Sequence, residues 1–309
     1  MAAEDDGRAS VESMATSRTS AADAAERATE AWDEIVKLGL ERHVAELEAT
    51  GLTVVEPELA AAPGFADRLR AAIVRVGEER GAGRLDLDGA NEAGRGAFGD
   101  VFGLQLYYLL FEDKAFQEAI VNPVALALAT YLLGGSCIIS NCLAGVKGPG
   151  GGDLALHCDN VMIPAPFPPY AQVCNLTWAL TDYDDDAGPL VYVPGSHRLC
   201  RHPLAGEGRD AMVPVRARAG SIIFWHGNLW HGALARRAPG LRVNLIVAMM
   251  RSYLRPQEPY REHVSQDVLD ANPPRFATLL GQHLYYGWRE DGPRLTALSY
   301  SPGSAHQFD

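Results

Sequence analysis

The sequence feature that most constrains the fold is a change of pattern after Gly134, where short β-prone runs replace helical periodicity. These runs are rich in Val, Ile, Leu and aromatic residues, and clusters of Gly, Pro, Asn and Asp, which favour turns, lie between them. The predicted strands cover residues 137–146, 154–161, 172–180, 190–193, 212–216, 221–224 and 242–249. Many short strands at this spacing are typical of a double-sheet barrel or jelly roll.

Helical patterns lie on both sides of the predicted strands. Apolar residues recur at helical spacing in residues 21–49 and 66–80, and a helical tail is predicted over residues 262–280. Asn122-Pro123 has the form of an N-cap followed by a first helical turn, and Gly134 is a matching stop. The sequence therefore predicts an α+β fold in which helices buttress a cupin-like jelly-roll barrel.

The predicted organisation is one folded domain behind a short tail. Residues 1–20 are rich in Ala, Ser, Glu and Asp with few large apolar groups, so they are predicted to be a disordered acidic tail. Residues 21–309 contain no internal repeat and no linker that requires two domains. Residues 81–99 are rich in Gly and charge and are predicted to form a mobile loop.

Composition excludes several classes of partner. The formal net charge is −12, which disfavours nucleic acids and anionic membranes because both attract clustered positive charge. No apolar run reaches the length of a membrane span. The first residues lack the basic start and apolar centre of a secretion signal, and the five cysteines form no CxxC pair. These observations predict a cytoplasmic protein with reduced thiols.

His157-Cys158-Asp159 is the strongest local indication of a site. Side chains alternate along a strand, so the histidine and the carboxylate would point to the same face. The Gly-rich approach at residues 148–152 favours a strand that reaches a cavity rim, because sharp backbone bends are open to glycine. The alternative is a solvated pair at the end of a surface strand.

The candidates for a third ligand are His226 and His231. They lie five residues apart with a Gly-Asn turn signal between them, so strand parity does not choose between them. His231 and Arg242 are separated by one strand, a Pro-Gly turn and the start of the next strand, which places them on neighbouring strands. This spacing favours His231 and leaves His226 as a structural residue or a residue near the cavity mouth.

Two histidines and one carboxylate form a ligand set that suits a non-haem Fe(II) ion with open coordination positions. Arg242 begins an otherwise apolar strand, where a buried guanidinium requires an anion. That anion is either a structural carboxylate of the protein or the carboxylate of a bound cosubstrate. A Zn²⁺ hydrolase using the same ligands and a catalytically silent jelly-roll binding protein are the alternative interpretations.

Several motifs, in one order, resemble the phytanoyl-CoA dioxygenase family over roughly residues 45–255. They are His157-Cys158-Asp159, Trp178, Gly188-Pro189-Leu190, Pro194-Gly195-Ser196-His197, and His231-Gly232 with Arg242. The resemblance implies a double-stranded β-helix that uses Fe(II), 2-oxoglutarate and O₂. It also implies that His157, Asp159 and His231 bind iron, and that Arg242 holds the C5 carboxylate of 2-oxoglutarate.

Further positions are assigned through the same resemblance. Trp178 matches an aromatic position that lines the cosubstrate site, with plain core packing as its alternative, and Asn141 is a candidate for a polar cosubstrate contact. Many family members have Ser or Thr two residues after the distal histidine, whereas this chain has Ala233. A water or a hydroxyl elsewhere must then replace that hydrogen bond. Asp159 is retained, which disfavours a halogenase.

The resemblance implies an oxidoreductase that hydroxylates, or otherwise oxidises, a C–H bond. The apolar stretch at residues 104–111 favours a hydrophobic or neutral small molecule, and we expect a substrate from specialised metabolite biosynthesis. An acyl-CoA hydroxylase of the same family is the alternative, which the lack of a basic cluster disfavours. The sequence makes no prediction of oligomeric state.

Overall fold

The computed structural model describes residues 21–89, 101–161, 163–282, 288–289 and 292–293. The predicted tail at residues 1–20 and the second half of the predicted loop at residues 81–99 lie outside the described residues. In the first half of that loop, Leu85 is buried and packs against the helix that precedes it. One domain over residues 21–309 stays a prediction.

Helices flank the sheets, most of them before the first long strand. They are α1 (Ala21–Lys37), α2 (Glu41–Thr50), α3 (Pro57–Ala60), α4 (Phe65–Glu79), α5 (Lys114–Ile120), α6 (Pro123–Leu133), α7 (Tyr260–His263), α8 (Gln266–Asp270) and α9 (Pro274–Leu279). The Asn122 side chain accepts a hydrogen bond from the Ala125 amide at 3.0 Å, and the helix that it caps ends at Gly134, as the sequence predicts.

Two predicted helices are interrupted in the structure. The pattern over residues 21–49 is two helices, because Gly39 adopts a positive φ of 68° between them. The predicted helix over residues 262–280 is also divided, and Pro273 and Pro274 lie at the last break. Proline has no backbone N–H, so it cannot make the hydrogen bond that would continue the preceding helix.

The strands form two antiparallel sheets that face each other. They are β1 (Leu52–Val55), β2 (Leu104–Leu106), β3 (Ile138–Lys147), β4 (Leu154–His157), β5 (Val173–Ala179), β6 (Leu190–Tyr192), β7 (Val213–Pro214), β8 (Ile222–His226), β9 (His231–Ala233), β10 (Arg242–Met250), and a separate pair β11 (Trp288–Arg289) and β12 (Gly292–Pro293). The large sheet has the order β1-β8-β5-β10-β3-β2 and the small sheet β4-β9-β6-β7. This is the predicted α+β jelly roll, although the two sheets do not close into one continuous barrel.

Strand parity divides the large sheet into a helix-packed face and a cavity face. On β10, Val243, Leu245 and Val247 belong to the main apolar core together with residues of the helices. The alternate residues Arg242 and Asn244 face the small sheet and line a cavity. Both faces of the central strands are therefore buried, which explains their nearly continuous apolar sequences.

Within the described residues, no single helix is both long and apolar enough to cross a membrane. Taken together, α5 and α6 have the length and apolar composition of a span, but they are bent by 44° relative to each other.

Candidate metal centre

The two histidines of the predicted site lie side by side on neighbouring strands. His157 on β4 pairs in register with His231 on β9, and their ring centroids are 4.3 Å apart. The Nδ1 atoms lie 2.9 Å and 3.0 Å from the carbonyl oxygens of Ala155 and Leu229, respectively. A carbonyl only accepts, so each Nδ1 carries the proton and each Nε2 keeps a free lone pair, as a metal ligand requires.

Asp159 follows β4 and is fixed by three hydrogen bonds. Its backbone N–H donates to the Gly227 carbonyl at 3.1 Å. Its Oδ2 accepts from Trp225 Nε1 at 3.0 Å and from the side-chain amide of Asn175. Both donors act on the same oxygen, so Oδ1 remains open to a metal.

The three side chains converge on one point. Asp159 Oδ1 is 3.9 Å from His157 Nε2, and Asp159 Oδ2 is 3.4 Å from His231 Nε2. One ligand atom from each residue lies within 4.8 Å of the others. Such ligands bind a divalent transition metal at about 2.0–2.2 Å, so one ion fits among them after small side-chain movements.

Electrostatics and exposure also suit a metal with open positions. Burial lowers the pKa of His231 because the imidazolium is poorly solvated there, and this keeps the ring neutral for coordination. The His157 side chain is 37% exposed and that of Asp159 23% exposed. The candidate centre therefore has one buried side and one side open to ligands.

Neighbouring residues that could compete as ligands point elsewhere. His226 packs against His197 with ring centroids 5.4 Å apart, and its Nδ1 accepts from the Asn228 amide at 3.0 Å. Burial lowers the pKa of His226 to about 3, so it stays neutral. The Cys158 Sγ lies 3.0 Å from His202 Nδ1, away from the three candidate ligands. Burial raises the pKa of the Cys158 thiol to about 11.

Arg242 lies in the same cavity as the three candidate ligands. The cavity has a volume of about 220 Å³ and is lined by residues of both sheets. The guanidinium is buried, lies 5.0 Å over the Tyr183 ring and donates through Nη1 to the Gly188 carbonyl. Among the described residues, the Arg242 Nε has no hydrogen-bond partner and no carboxylate forms an ion pair with the guanidinium. A buried cation without an anion fits a carboxylate ligand supplied from outside the protein.

A second buried cation strengthens the positive potential at this end of the cavity. Arg236 is 8% exposed, and its donors go to the carbonyls of Gly240, Ala187 and Pro239 rather than to a carboxylate. Burial, followed by the proximity of Arg242, lowers the pKa of Arg236. Arg236 is buried because its own loop folds back over it.

Trp178 does not line the cavity, which corrects the role assigned to it. Its ring is fully buried on the helix-packed face of β5 and contacts Phe65 edge-on, with centroids 5.1 Å apart. Asn175 and Thr177 face the cavity, so strand parity turns Trp178 to the opposite side. The tryptophan that lines the cavity is Trp225 on β8. Sequence reasoning missed it because the predicted strand ended one residue earlier, at residue 224.

Asn141 lines the cavity, but its amide is already engaged. The Nδ2 donates to Gln257 Oε1, and Oδ1 accepts from the Ala248 amide at 3.2 Å, beside a register shift in the β3–β10 ladder. Ala233 also lines the cavity and presents only a methyl group. Sequence reasoning missed the polar wall residues of this cavity, which are Gln105, Asn175, Thr177, Tyr183 and Asn244.

Residues 47–244 match the family described as Phytanoyl-CoA dioxygenase (PhyH), which is well over half of the chain. The chain belongs to the phytanoyl-CoA dioxygenase family. Fe(II), 2-oxoglutarate and O₂ are the cofactor and co-substrates of such dioxygenases, and the candidate ligands and the unpaired Arg242 fit the first two.

Several curated relatives of this chain are named dioxygenases. The chain is 35% identical over 130 residues to dioxygenase af480 of Aspergillus fumigatus, which is 41% of this chain and 42% of that protein. It is 30% identical over 116 residues to dioxygenase cdmD of Talaromyces verruculosus, 37% of this chain and 36% of that protein. The chain therefore spans less than half of the length of these two relatives.

Solved structures share the fold of this phytanoyl-CoA dioxygenase family member. The α-ketoglutarate-dependent epimerase SnoN from nogalamycin biosynthesis has a TM-score of 0.54 at 23% identity, covering 71% of this chain and 86% of its own. HygX from Streptomyces hygroscopicus, with nickel and 2-oxoglutarate bound, has a TM-score of 0.55 at 14% identity, covering 70% and 88%. At these identities the likeness establishes the double-stranded β-helix fold.

Proposed function

We propose that this protein is a non-haem Fe(II)/2-oxoglutarate-dependent dioxygenase that oxidises a C–H bond of a small organic metabolite. The observation that carries the proposal is one cavity with a 2-His-1-carboxylate cluster and a buried arginine that pairs with no carboxylate among the described residues. A metal site with open coordination positions suits several reactions, but the arginine adds a binding site for one carboxylate of a dicarboxylate cosubstrate.

His157, Asp159 and His231 would hold the iron, and Arg242 would hold the C5 carboxylate of 2-oxoglutarate. When bound, iron and 2-oxoglutarate supply the oxidation, in which 2-oxoglutarate and O₂ yield succinate, CO₂ and an oxygen atom for the substrate. The carbonyls of Ala155 and Leu229 keep both histidines in the ligating tautomer.

The cavity walls supply orientation and exclude water. Trp225 and Asn175 hold the Asp159 carboxylate in place, which fixes the angle at which it meets a metal. Apolar residues also line the cavity; they are Leu143, Leu154, Leu190 and Ile246. A dry, pre-oriented site is what oxidation of an unactivated C–H bond requires.

The proposed substrate is a hydrophobic or neutral small molecule of specialised metabolism. Two α-ketoglutarate-dependent enzymes of nogalamycin biosynthesis, the epimerase SnoN and the carbocyclase SnoK, share the fold and support a substrate of specialised metabolism. Phe102 is 52% exposed and lines the cavity, so an apolar group stands where a substrate would enter. Hydroxylation or another oxidation of the C–H bond is the proposed outcome, and chlorination is disfavoured because Asp159 would take the coordination position that a halogenase leaves to chloride.

A Zn²⁺ hydrolase with the same ligands is less well supported. Such an enzyme needs a general base close to the metal-bound water. Among the described residues that line the cavity, Asp159 is the only carboxylate, and it belongs to the ligand cluster itself. The hydrolase interpretation also leaves Arg242 without a role.

Anaerobic addition of Fe(II) and then 2-oxoglutarate is expected to produce the weak visible charge-transfer band of a chelated 2-oxo acid. The band should saturate with one 2-oxoglutarate per iron, and Zn²⁺ in place of Fe(II) should give none. Absence of the band with stoichiometric iron bound would reject the proposed function. Succinate release screened over a metabolite panel then identifies substrates.

Replacing Trp225 by Phe is expected to weaken Fe(II) binding by about 10- to 100-fold, because Asp159 loses one of the donors that orient it. The matched control is Trp178→Phe on the opposite face of the sheet, where the indole N–H has no partner among the described residues. That change should cost about 1–3 kcal/mol of unfolding free energy and leave Fe(II) affinity unchanged. Chelator competition and denaturant unfolding measure the two effects, and equal Fe(II) affinities would contradict the role given to Trp225.

A further inference from the structure

Arg242 alone does not satisfy a carboxylate seated beside it. A carboxylate has two oxygens and about four acceptor positions. One guanidinium nitrogen, Nη1, already donates to the Gly188 carbonyl, so only part of the arginine fork is free for a ligand. Ala233, at the position where many family members have a hydroxyl, donates nothing. A second donor at this end of the cavity must therefore come from another residue or from water.

Tyr183 is rigidly held next to Arg242. Its backbone forms an isolated bridge with Ala217, with N–H···O distances of 2.7 Å and 3.1 Å. The side chain is 4% exposed, lines the cavity and lies under the guanidinium, whose Cζ is 5.0 Å from the ring centroid. The phenol is thus placed at the same end of the cavity as the unpaired cation.

The side chain of Asn244 determines how the Tyr183 hydroxyl is used. Asn244 Oδ1 accepts from the backbone N–H of Gly145 at 3.1 Å, so the NH₂ end of the Asn244 side chain must face Tyr183. Asn244 Nδ2 then donates to Tyr183 Oη at 2.7 Å. The hydroxyl oxygen is an acceptor in this contact, and its own proton finds no acceptor among the described residues.

Gly145 makes this arrangement sterically possible. A Cβ at position 145 would lie 2.6 Å from Asn244 Oδ1, closer than real Cβ contacts. A side chain there would displace the asparagine that orients the phenol. A glycine on β3, an asparagine on β10 and a tyrosine from the loop after β5 therefore form one polar chain that ends in a free O–H donor.

We infer that the Tyr183 hydroxyl donates the second hydrogen bond to the distal carboxylate of 2-oxoglutarate, beside Arg242. The inference rests on the proposed function and assigns a cosubstrate-positioning role to a residue outside the motifs that identify the family. Tyr183 replaces a hydroxyl that would otherwise come from position 233, and Asn244 keeps its proton pointed at the ligand.

The test is the dissociation constant of 2-oxoglutarate in Tyr183→Phe, read anaerobically from the charge-transfer band of the Fe(II)-loaded protein. Because the variant loses a hydrogen bond to a charged group, its dissociation constant should rise by about tenfold or more. The control Tyr131→Phe removes a hydroxyl that donates to Glu48 at 3.0 Å, outside the cavity, and should bind normally. A second probe, 2-oxopentanoate, lacks the distal carboxylate and should bind Tyr183→Phe as it binds the unmodified protein.

Rescue distinguishes a direct contact from general damage. Ala233→Ser in the Tyr183→Phe background returns a hydroxyl to the neighbouring wall and should recover most of the lost affinity. An unchanged constant in Tyr183→Phe, or equal losses for 2-oxoglutarate and 2-oxopentanoate, overturns the inference while leaving the proposed function intact. Failure of the unmodified protein to give the band overturns both.

Discussion

Arg242→Met is expected to raise the concentration of 2-oxoglutarate needed for half-saturation by about 10²- to 10³-fold. Removing one partner of a buried, hydrogen-bonded charge pair typically costs about 2–5 kcal/mol. Methionine keeps much of the side-chain length that packs over Tyr183. The lost affinity therefore reflects the missing charge and guanidinium hydrogen bonds rather than a cavity left in the packing. Titration of the charge-transfer band and the KM for 2-oxoglutarate measure the effect.

Two further variants isolate the cause of this loss. Arg242→Lys keeps a charge without the bidentate fork and should give an intermediate affinity. Arg237→Ala removes an exposed arginine in the loop between β9 and β10, whose partner is Asp186. This change should alter 2-oxoglutarate binding by less than about twofold. If Arg242→Met binds 2-oxoglutarate as tightly as the unmodified protein, Arg242 is not the cosubstrate anchor.

The same variant makes a separate prediction for thermal stability. Without cosubstrate, the buried guanidinium pairs with no carboxylate of the residues that the structure describes, so Arg242→Met should leave the melting temperature of the ligand-free protein unchanged or higher. In the unmodified protein, saturating 2-oxoglutarate with Fe(II) should raise the melting temperature by mass action. That increase should be largely lost in Arg242→Met, and differential scanning fluorimetry records it.

Asp159→Gly is expected to lower 2-oxoglutarate-dependent turnover by more than about 10³-fold. The change removes one of three candidate ligands and leaves the buried donors of Trp225 and Asn175 without their acceptor. Fe(II) stoichiometry, with succinate formation in the presence of a substrate, measures the loss. The matched control is Asp186→Asn, since Asp186 pairs with Arg237 at the surface and should be neutral. Retained Fe(II)-dependent turnover in Asp159→Gly would remove this carboxylate from the site.

Much of the framework was predictable because it depends on local chemistry. Asn122 caps its helix, Gly134 ends it, and the predicted strands over residues 137–146 and 242–249 match β3 and β10 within a residue or two. Boundaries failed where tertiary contacts intervene. The strand predicted over residues 154–161 stops at His157, because the backbone N–H of Asp159 instead donates to Gly227 in the turn before β9.

Side-chain direction was the harder problem at the site. Trp178 and Trp225 are both buried tryptophans on strands of the large sheet, yet only Trp225 faces the cavity. On β5 the polar residues Asn175 and Thr177 alternate with Leu176 and Trp178, but both faces of the strand are buried, so the alternation does not say which face borders a cavity. The polar wall residues Tyr183 and Asn244 escaped prediction for a related reason, since a single Tyr or Asn carries no local mark of what it touches.

The sequence by itself determined the class of fold, the identity of the candidate ligands and the unusual arginine at the start of an apolar strand. Those conclusions depend on residue type, on spacing along the chain and on the motifs that resemble the family, all of which can be read from the sequence. Only the tertiary structure shows that Arg242 has no carboxylate partner among the described residues, that Trp225 rather than Trp178 contacts Asp159, and that Tyr183 lies against Arg242 with its hydroxyl accepting from Asn244. Each of these depends on contacts between β-strands far apart in sequence, and such contacts exist only once the two sheets have packed against each other.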